Sequence, residues 1–154
     1  MNRRIDNKNR KGNAIVEVAL MAPWIFFLFV GVLDFGFYSY AAICTQNAAR
    51  VAAMANSYAT GNASDSTGAC TIVIQEMNSL PNMRSVTGCT GTLSQTQPVN
   101  VTVASVAGPD GGPAAQVSVT YLSVLMIPIP GIMMGQLTLT RTVEVPILNS
   151  APTI

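Results

Sequence analysis

Between Val18 and Leu33 the chain reads VALMAPWIFFLFVGVL, a run with no charged side chain. With Asn13 to Val16 before it and Phe35 to Ile43 after it, the apolar segment reaches the ~20 residues that a bilayer's hydrocarbon core demands of a helix. A stretch of this kind narrows the options for the whole chain more than any other feature. One membrane pass is expected, and only the remaining residues are free to build a water-facing domain. The composition agrees: 10% of the residues are charged, against the ~25% usual in soluble proteins.

The net charge of +1 conceals an asymmetry. Arg3, Arg4, Lys8, Arg10 and Lys11 make up five of the eight basic residues and fall within the first twelve positions; only Arg50, Arg84 and Arg141 follow. A basic cluster that abuts an apolar run acts as a topological signal, holding its end of the helix in the cytoplasm and sending the rest of the chain outside. Nucleic-acid binding is therefore not expected. Tyr38 and Tyr40 fit the outer membrane interface, whereas Trp24 lies too deep in the run to anchor there.

Three fates compete for this segment. A secretory signal peptide would use SYA before Ala42 as a cleavage site, but its apolar region would be longer than usual. A lipoprotein site at Cys44 is poorer, because Ile43 stands where a small residue is expected. A retained helix fits best, since helical character continues through AAICTQNAARVAAMANSY. There Cys44, Ala48, Val51, Ala52 and Ala55 recur at helical spacing, while Gln46, Arg50 and Ser57 take another face. The expected helix runs from about Ala14 to about Tyr58, and its small-residue face suits the core of its own domain better than a seam with a partner.

ATGNASDSTG, Ala59 to Gly68, reads as the loop that ends this helix. Ile72 to Asn78 fits a helix or a strand equally well. Of the three cysteines, Cys70 and Cys89 stand in turn-rich extramembrane sequence. They are the expected disulfide in an oxidising compartment, leaving Cys44 as a small buried residue. The last third reads as antiparallel strands. Val99, Val101 and Val103 alternate with polar or small residues, as do Val117, Val119 and Tyr121. Leu137, Leu139, Val143 and Val145 alternate with Thr138, Thr140, Thr142 and Glu144. GPDGGP, Gly108 to Pro113, is a hairpin tip. Arg141 falls on the apolar side of the last strand, where either a bulge redirects it or its long stem carries the charge to water. The apolar connection Ser123 to Gln136 is open to three placements: beneath the sheet, on the bilayer surface, or against a neighbouring subunit.

Catalytic constellations are missing from this pattern. The sequence has no histidine, no close cysteine pair for a metal and no glycine-rich phosphate loop, and its serines and threonines lack a general base. No enzyme activity, cofactor or metal is expected. Asp65, Glu76 and Asp110 lie in or near loops and are expected to be solvated. NAS at Asn62 and NVT at Asn100 fit glycosylation triplets, a pattern that also arises by chance.

Two acids remain odd. Glu17 and Asp34 bracket the uncharged run, and a carboxylate inside hydrocarbon costs at least ~2.5 kcal/mol. Asp34 reads as a marker of the outer interface. Glu17 sits at the fifth position after Gly12, in KGNAIVEVAL.

A basic leader, a glycine, a glutamate five residues on and then an apolar helix resemble the start of type IV pilin-like proteins. The longer stretch GNAIVEVALMAPWIFFLFVGVLDFGFYSYAA, with NAAR at Asn47 to Arg50 and the closing VSVTYLSVLMIPIPG and LTLTRTVEV, resembles the TadE-like family, pseudopilins of tight-adherence pilus systems. The resemblance implies cleavage by a prepilin peptidase between Gly12 and Asn13, although Asn13 departs from the hydrophobic residue usual at that position. It also implies that Glu17 pairs with the freed amine of Asn13 on a neighbouring subunit and sets axial register. Pro23 would interrupt one backbone hydrogen bond and permit a kink.

The combined expectation is an α+β chain. Residues 1–12 form a basic cytoplasmic leader, 13–58 a pilin-like transmembrane helix and external spine, and 59–154 a small extracytoplasmic α+β domain built on an antiparallel sheet. It would act by assembly as a minor pseudopilin at the bacterial inner membrane or within an extracellular pilus. Its expected partners are pilin-like subunits, the assembly machinery, the prepilin peptidase and the bilayer. An uncleaved single-pass adaptor of a secretion or pilus assembly complex is the alternative, and a secreted binding domain a more distant one.

Overall fold

A computed structural model describes residues 8–58, 60–124 and 136–147. The element order is α1 (Lys8–Asn56), a short 3-10 turn (Thr60–Asn62), α2 (Ser66–Met77), β1 (Val99–Ala107), β2 (Pro113–Leu122) and β3 (Thr138–Pro146). The chain divides into two compact units, Met1–Phe37 and Tyr38–Ile154. The α+β class and the long N-terminal helix are as expected. The Ser123 to Gln136 connection lies mostly outside the described residues, so its three placements stay open.

The first unit is the leading part of α1. It is helical from Lys8, six residues earlier than the expected start, and unbroken through Pro23. Most of its large apolar side chains face outward, Trp24 being 78% exposed and Phe35 72%, while Val30 is buried. The helix is long and apolar enough to cross a membrane, with very little of its apolar window buried.

The second unit has one main core. Ala41, Ala48, Ala49, Ala52 and Ala53 of α1, with Thr45, are fully buried. They pack in a cluster with Val73 and Met77 of α2 and with Val99, Val101, Val117, Val119, Tyr121 and Leu139 of the sheet. Alanine side chains let the helix backbone approach its neighbours closely at little cost in side-chain entropy. The buried face is rotated from the expected one. Ala48 and Ala52 belong to it, but Cys44, Val51 and Ala55 are only half-buried on its flank. Cys44 is therefore a half-buried free thiol rather than a buried small residue.

The segment that fitted helix or strand is helix, and it starts earlier than the loop was expected to end. Asp65 is exposed just before the helix, as expected, and is also its N-cap, its carboxylate accepting from the Thr67 and Gly68 amides at 3.0 Å each. Two of the helix's otherwise unpaired amide donors are thereby satisfied. A glycine at 68 leaves room for the capping carboxylate, since a Cβ there would press on the Asp65 side chain and displace it from its capping position. The Asn56 side chain at the end of α1 donates to the Asp65 carbonyl at 3.1 Å, tying the two helices together.

Beyond α2 the chain folds through successive turns, with Leu80, Met83 and Val86 amides donating to the carbonyls of Met77, Leu80 and Met83. Each step of three returns a side chain to the core, so Met77, Leu80, Met83, Val86 and Cys89 are all buried. The expected Cys70–Cys89 disulfide is present. It joins α2 to the end of this run of turns.

The sheet has the order β1-β2-β3, antiparallel throughout. The GPDGGP hairpin tip closes β1 onto β2, and Val101 pairs with Val119 and Val119 with Arg141. Valines face the helices. The opposite face carries hydroxyls, among them Thr142 donating to Ser118 at 2.9 Å and the Thr120–Thr140 pair at 3.2 Å.

Candidate functional site

Gly12 and Asn13 lie in the first turns of α1. Asn13 and Glu17 are four residues apart, so the helix places them one turn apart along one face. Glu17 is exposed, as is every described residue from Ala14 to Phe29. Pro23 sits inside this stretch. Around it Val18, Met21, Ala22, Ile25, Phe26 and Phe29 recur at helical spacing and line a shallow groove of about 470 Å³. From Ala14 to Phe29 the exposed surface is thus apolar except for a single carboxylate, Glu17, near its start.

Asp34 differs from Glu17. Its residue is half-buried, both carboxylate oxygens are closed to solvent, and neither finds a hydrogen-bond partner among the described residues. Glu17, Pro23 and Asp34 are spread along the helix and converge on no common point, and Cys70 and Cys89 belong to the second unit.

A second constellation escaped the sequence analysis as a site. Arg50 of α1 and Arg141 of β3 line one open groove of about 400 Å³ with Ala42, Ile43, Gln46 and Asn47. The signals were present but separate: NAAR ends in Arg50, and Arg141 was the one charge on an apolar strand face. No bulge redirects Arg141. The β2–β3 register is regular through it, and the side chain emerges beside α1 with one amine donating to the Thr140 carbonyl at 3.1 Å. Glu76 is exposed, as expected, and also accepts from the Asn47 side chain at 3.0 Å. Tyr40 donates to the Ser79 hydroxyl at 3.0 Å, pinning the same stretch of α1 to the turns after α2.

Among the described residues, Tyr121 has a perturbed titration. Burial pushes its phenol up to about 12, a hydrogen bond to Asn82 pulls the other way, and Cys44 adds a smaller upward push. The phenol donates to the side-chain amide oxygen Oδ1 of Asn82 at 2.5 Å. This is a structural bond that fixes the turn segment over the sheet.

The comparisons bear on the first of these regions. Residues 12–54 match the family model of TadE-like proteins. The match starts at Gly12, contains Glu17, Pro23 and Asp34, and ends in the buried alanine stretch. No curated protein and no solved structure matches the chain. The TadE-like segment therefore comprises the membrane-length part of α1 and most of its buried part, and the sheet lies outside it.

Proposed function

We propose that the chain is a minor pseudopilin that takes part in assembling a tight-adherence type pilus or a related secretion system. The observation that carries this is Glu17, an exposed carboxylate on an otherwise apolar helix face, five residues after the glycine at which the TadE-like match begins. A carboxylate placed in hydrocarbon calls for a partner. The described residues of its own helix surface supply only apolar neighbours, and a neighbouring subunit's N-terminal amine has the required charge. Attraction between such groups is far stronger in an apolar bundle than in water. In this account a prepilin peptidase cuts after Gly12, the helix is held in the inner membrane with its basic end in the cytoplasm, and the apolar stripe around Pro23 packs laterally against other pilin-like subunits.

The second reading is an uncleaved single-pass adaptor, favoured by the unbroken helix that crosses Gly12 and Asn13. N-terminal sequencing and intact mass of the membrane-extracted protein separate the two: a start at Asn13 supports the pseudopilin, and a retained Met1 supports the adaptor. Glu17→Ala is expected to leave membrane insertion intact and abolish incorporation into sheared filaments. Incorporation at the wild-type level would remove Glu17 from the mechanism.

A further inference from the structure

We infer that the Arg50–Arg141 groove binds the phosphate of an anionic phospholipid headgroup; this rests on the membrane placement proposed above. Arg50 and Arg141, from different elements, line one groove that has no acidic residue in its lining. Like charges side by side repel, and an arrangement of this kind is favourable once an anion sits between them. The described residues do not supply that anion. Arg141 spends a donor on the Thr140 carbonyl, and Glu76 is taken by Asn47. Guanidinium forks match phosphate oxygens with paired, charge-assisted hydrogen bonds.

The rest of the lining selects a lipid over a free anion. Ile43 is 68% exposed, and with Ala42 it gives the groove an apolar wall suited to glycerol and the first acyl methylenes. Gln46 adds a carboxamide. Helical side chains slant toward the helix N-terminus, so Arg50 covers surface near Gln46 and Asn47. Along α1 the lining residues begin about 3 Å and end about 15 Å past Tyr40 at 1.5 Å per residue. The groove thus opens on the first helical turns of the part of α1 that belongs to the second unit.

The test uses the full-length chain in detergent, with native mass spectrometry reading retained lipid after supplementation with phosphatidylglycerol or phosphatidylcholine. The wild type is expected to retain one phosphatidylglycerol in preference to phosphatidylcholine. Arg50→Gln with Arg141→Gln is expected to lower that retention about tenfold or more, as loss of charge-assisted hydrogen bonds implies. Arg84→Gln, an exposed arginine outside the groove, is expected to change nothing. Arg50→Lys with Arg141→Lys keeps the charge and controls for folding; partial retention supports the site. Equal retention of the two lipids, equal loss in the Arg84→Gln variant, saturation of the groove by inorganic phosphate without lipid preference, or occupation by a second copy seen as a dimer that the double Gln variant dissolves would each overturn the proposal. Filament incorporation is not read in this experiment, so its failure leaves the assembly proposal standing, and failed assembly leaves this one standing.

Discussion

Residues 14–37 and 38–56 of α1 share one backbone conformation and differ in what their side chains meet. The first stretch carries Trp, Phe, Leu and Ile, and these are exposed; the second carries alanine on one face, and that face is fully buried. In water this would be an inversion, with the largest apolar groups outside and the smallest inside. It becomes ordinary once the two stretches are assigned different solvents. Hydrocarbon rewards bulky apolar side chains that point outward, whereas a helix packed on a sheet and a second helix needs small residues where the backbones approach. The lesson is that burial cannot be inferred from hydrophobicity until the solvent is known.

The sharpest way to separate the two stretches is to remove what holds only the second unit together. Reducing the Cys70–Cys89 bond, or replacing both cysteines with serine, opens a loop of 19 residues separation. It is expected to cost about 3 kcal/mol of domain stability with membrane insertion unchanged; denaturant unfolding of the full chain in micelles, with and without reductant, measures this. Next in size is a pair of substitutions on the same helix. Ala52→Leu, at a fully buried position, is expected to destabilise the domain by about 1–3 kcal/mol through overpacking. Phe29→Ala, at a position 59% exposed, is expected to shift the same unfolding curve by no more than about 0.5 kcal/mol. Similar effects from the two would erase the contrast drawn above.

The smallest effect concerns Tyr121. Its phenol holds a proton in the folded chain up to about 12, against an ordinary value of 10.0. Between those values the unfolded chain releases the proton and the folded chain keeps it, so the stability contributed is complete below pH 10 and is lost as pH rises toward 12. Tyr121→Phe is expected to remove this alkaline decline, and to cost about 1 kcal/mol at neutral pH through the lost hydrogen bond to Asn82. Unfolding curves at pH 8, 10 and 11 test both parts.

Much of the candidate assembly site was legible because it is written in consecutive residues: the basic cluster, Gly12, Glu17 and the uncharged run need no tertiary contact to be recognised. The strands were legible through alternation, and the Cys70–Cys89 pairing through its turn-rich setting. The run Met77, Leu80, Met83, Val86, Cys89 was missed although its spacing of three is visible, because neither the helical nor the strand period picks it out. The Asp65 cap was hidden inside a segment whose composition reads as loop, since serine, threonine and glycine serve both a loop and a helix's first turn. The face of the alanine stretch was misplaced for a different reason. Alanine, cysteine and valine at neighbouring positions are all compatible with burial, and only the sheet and α2 select which of them turn inward.

By itself the sequence determined what depends on local order along the chain: a membrane-length helix, its charged end, the glycine-to-glutamate spacing, and strands of alternating polarity. Tertiary structure alone decided which helix face is core, that α2 begins at Ser66, and that Arg141 and Arg50 line one groove. The physical reason is range. Hydropathy, charge and periodicity act between residues a few positions apart, whereas Arg50 and Arg141, ninety-one positions apart, become neighbours only when β3 is laid in register on β2 and the sheet packs with α1 in one core.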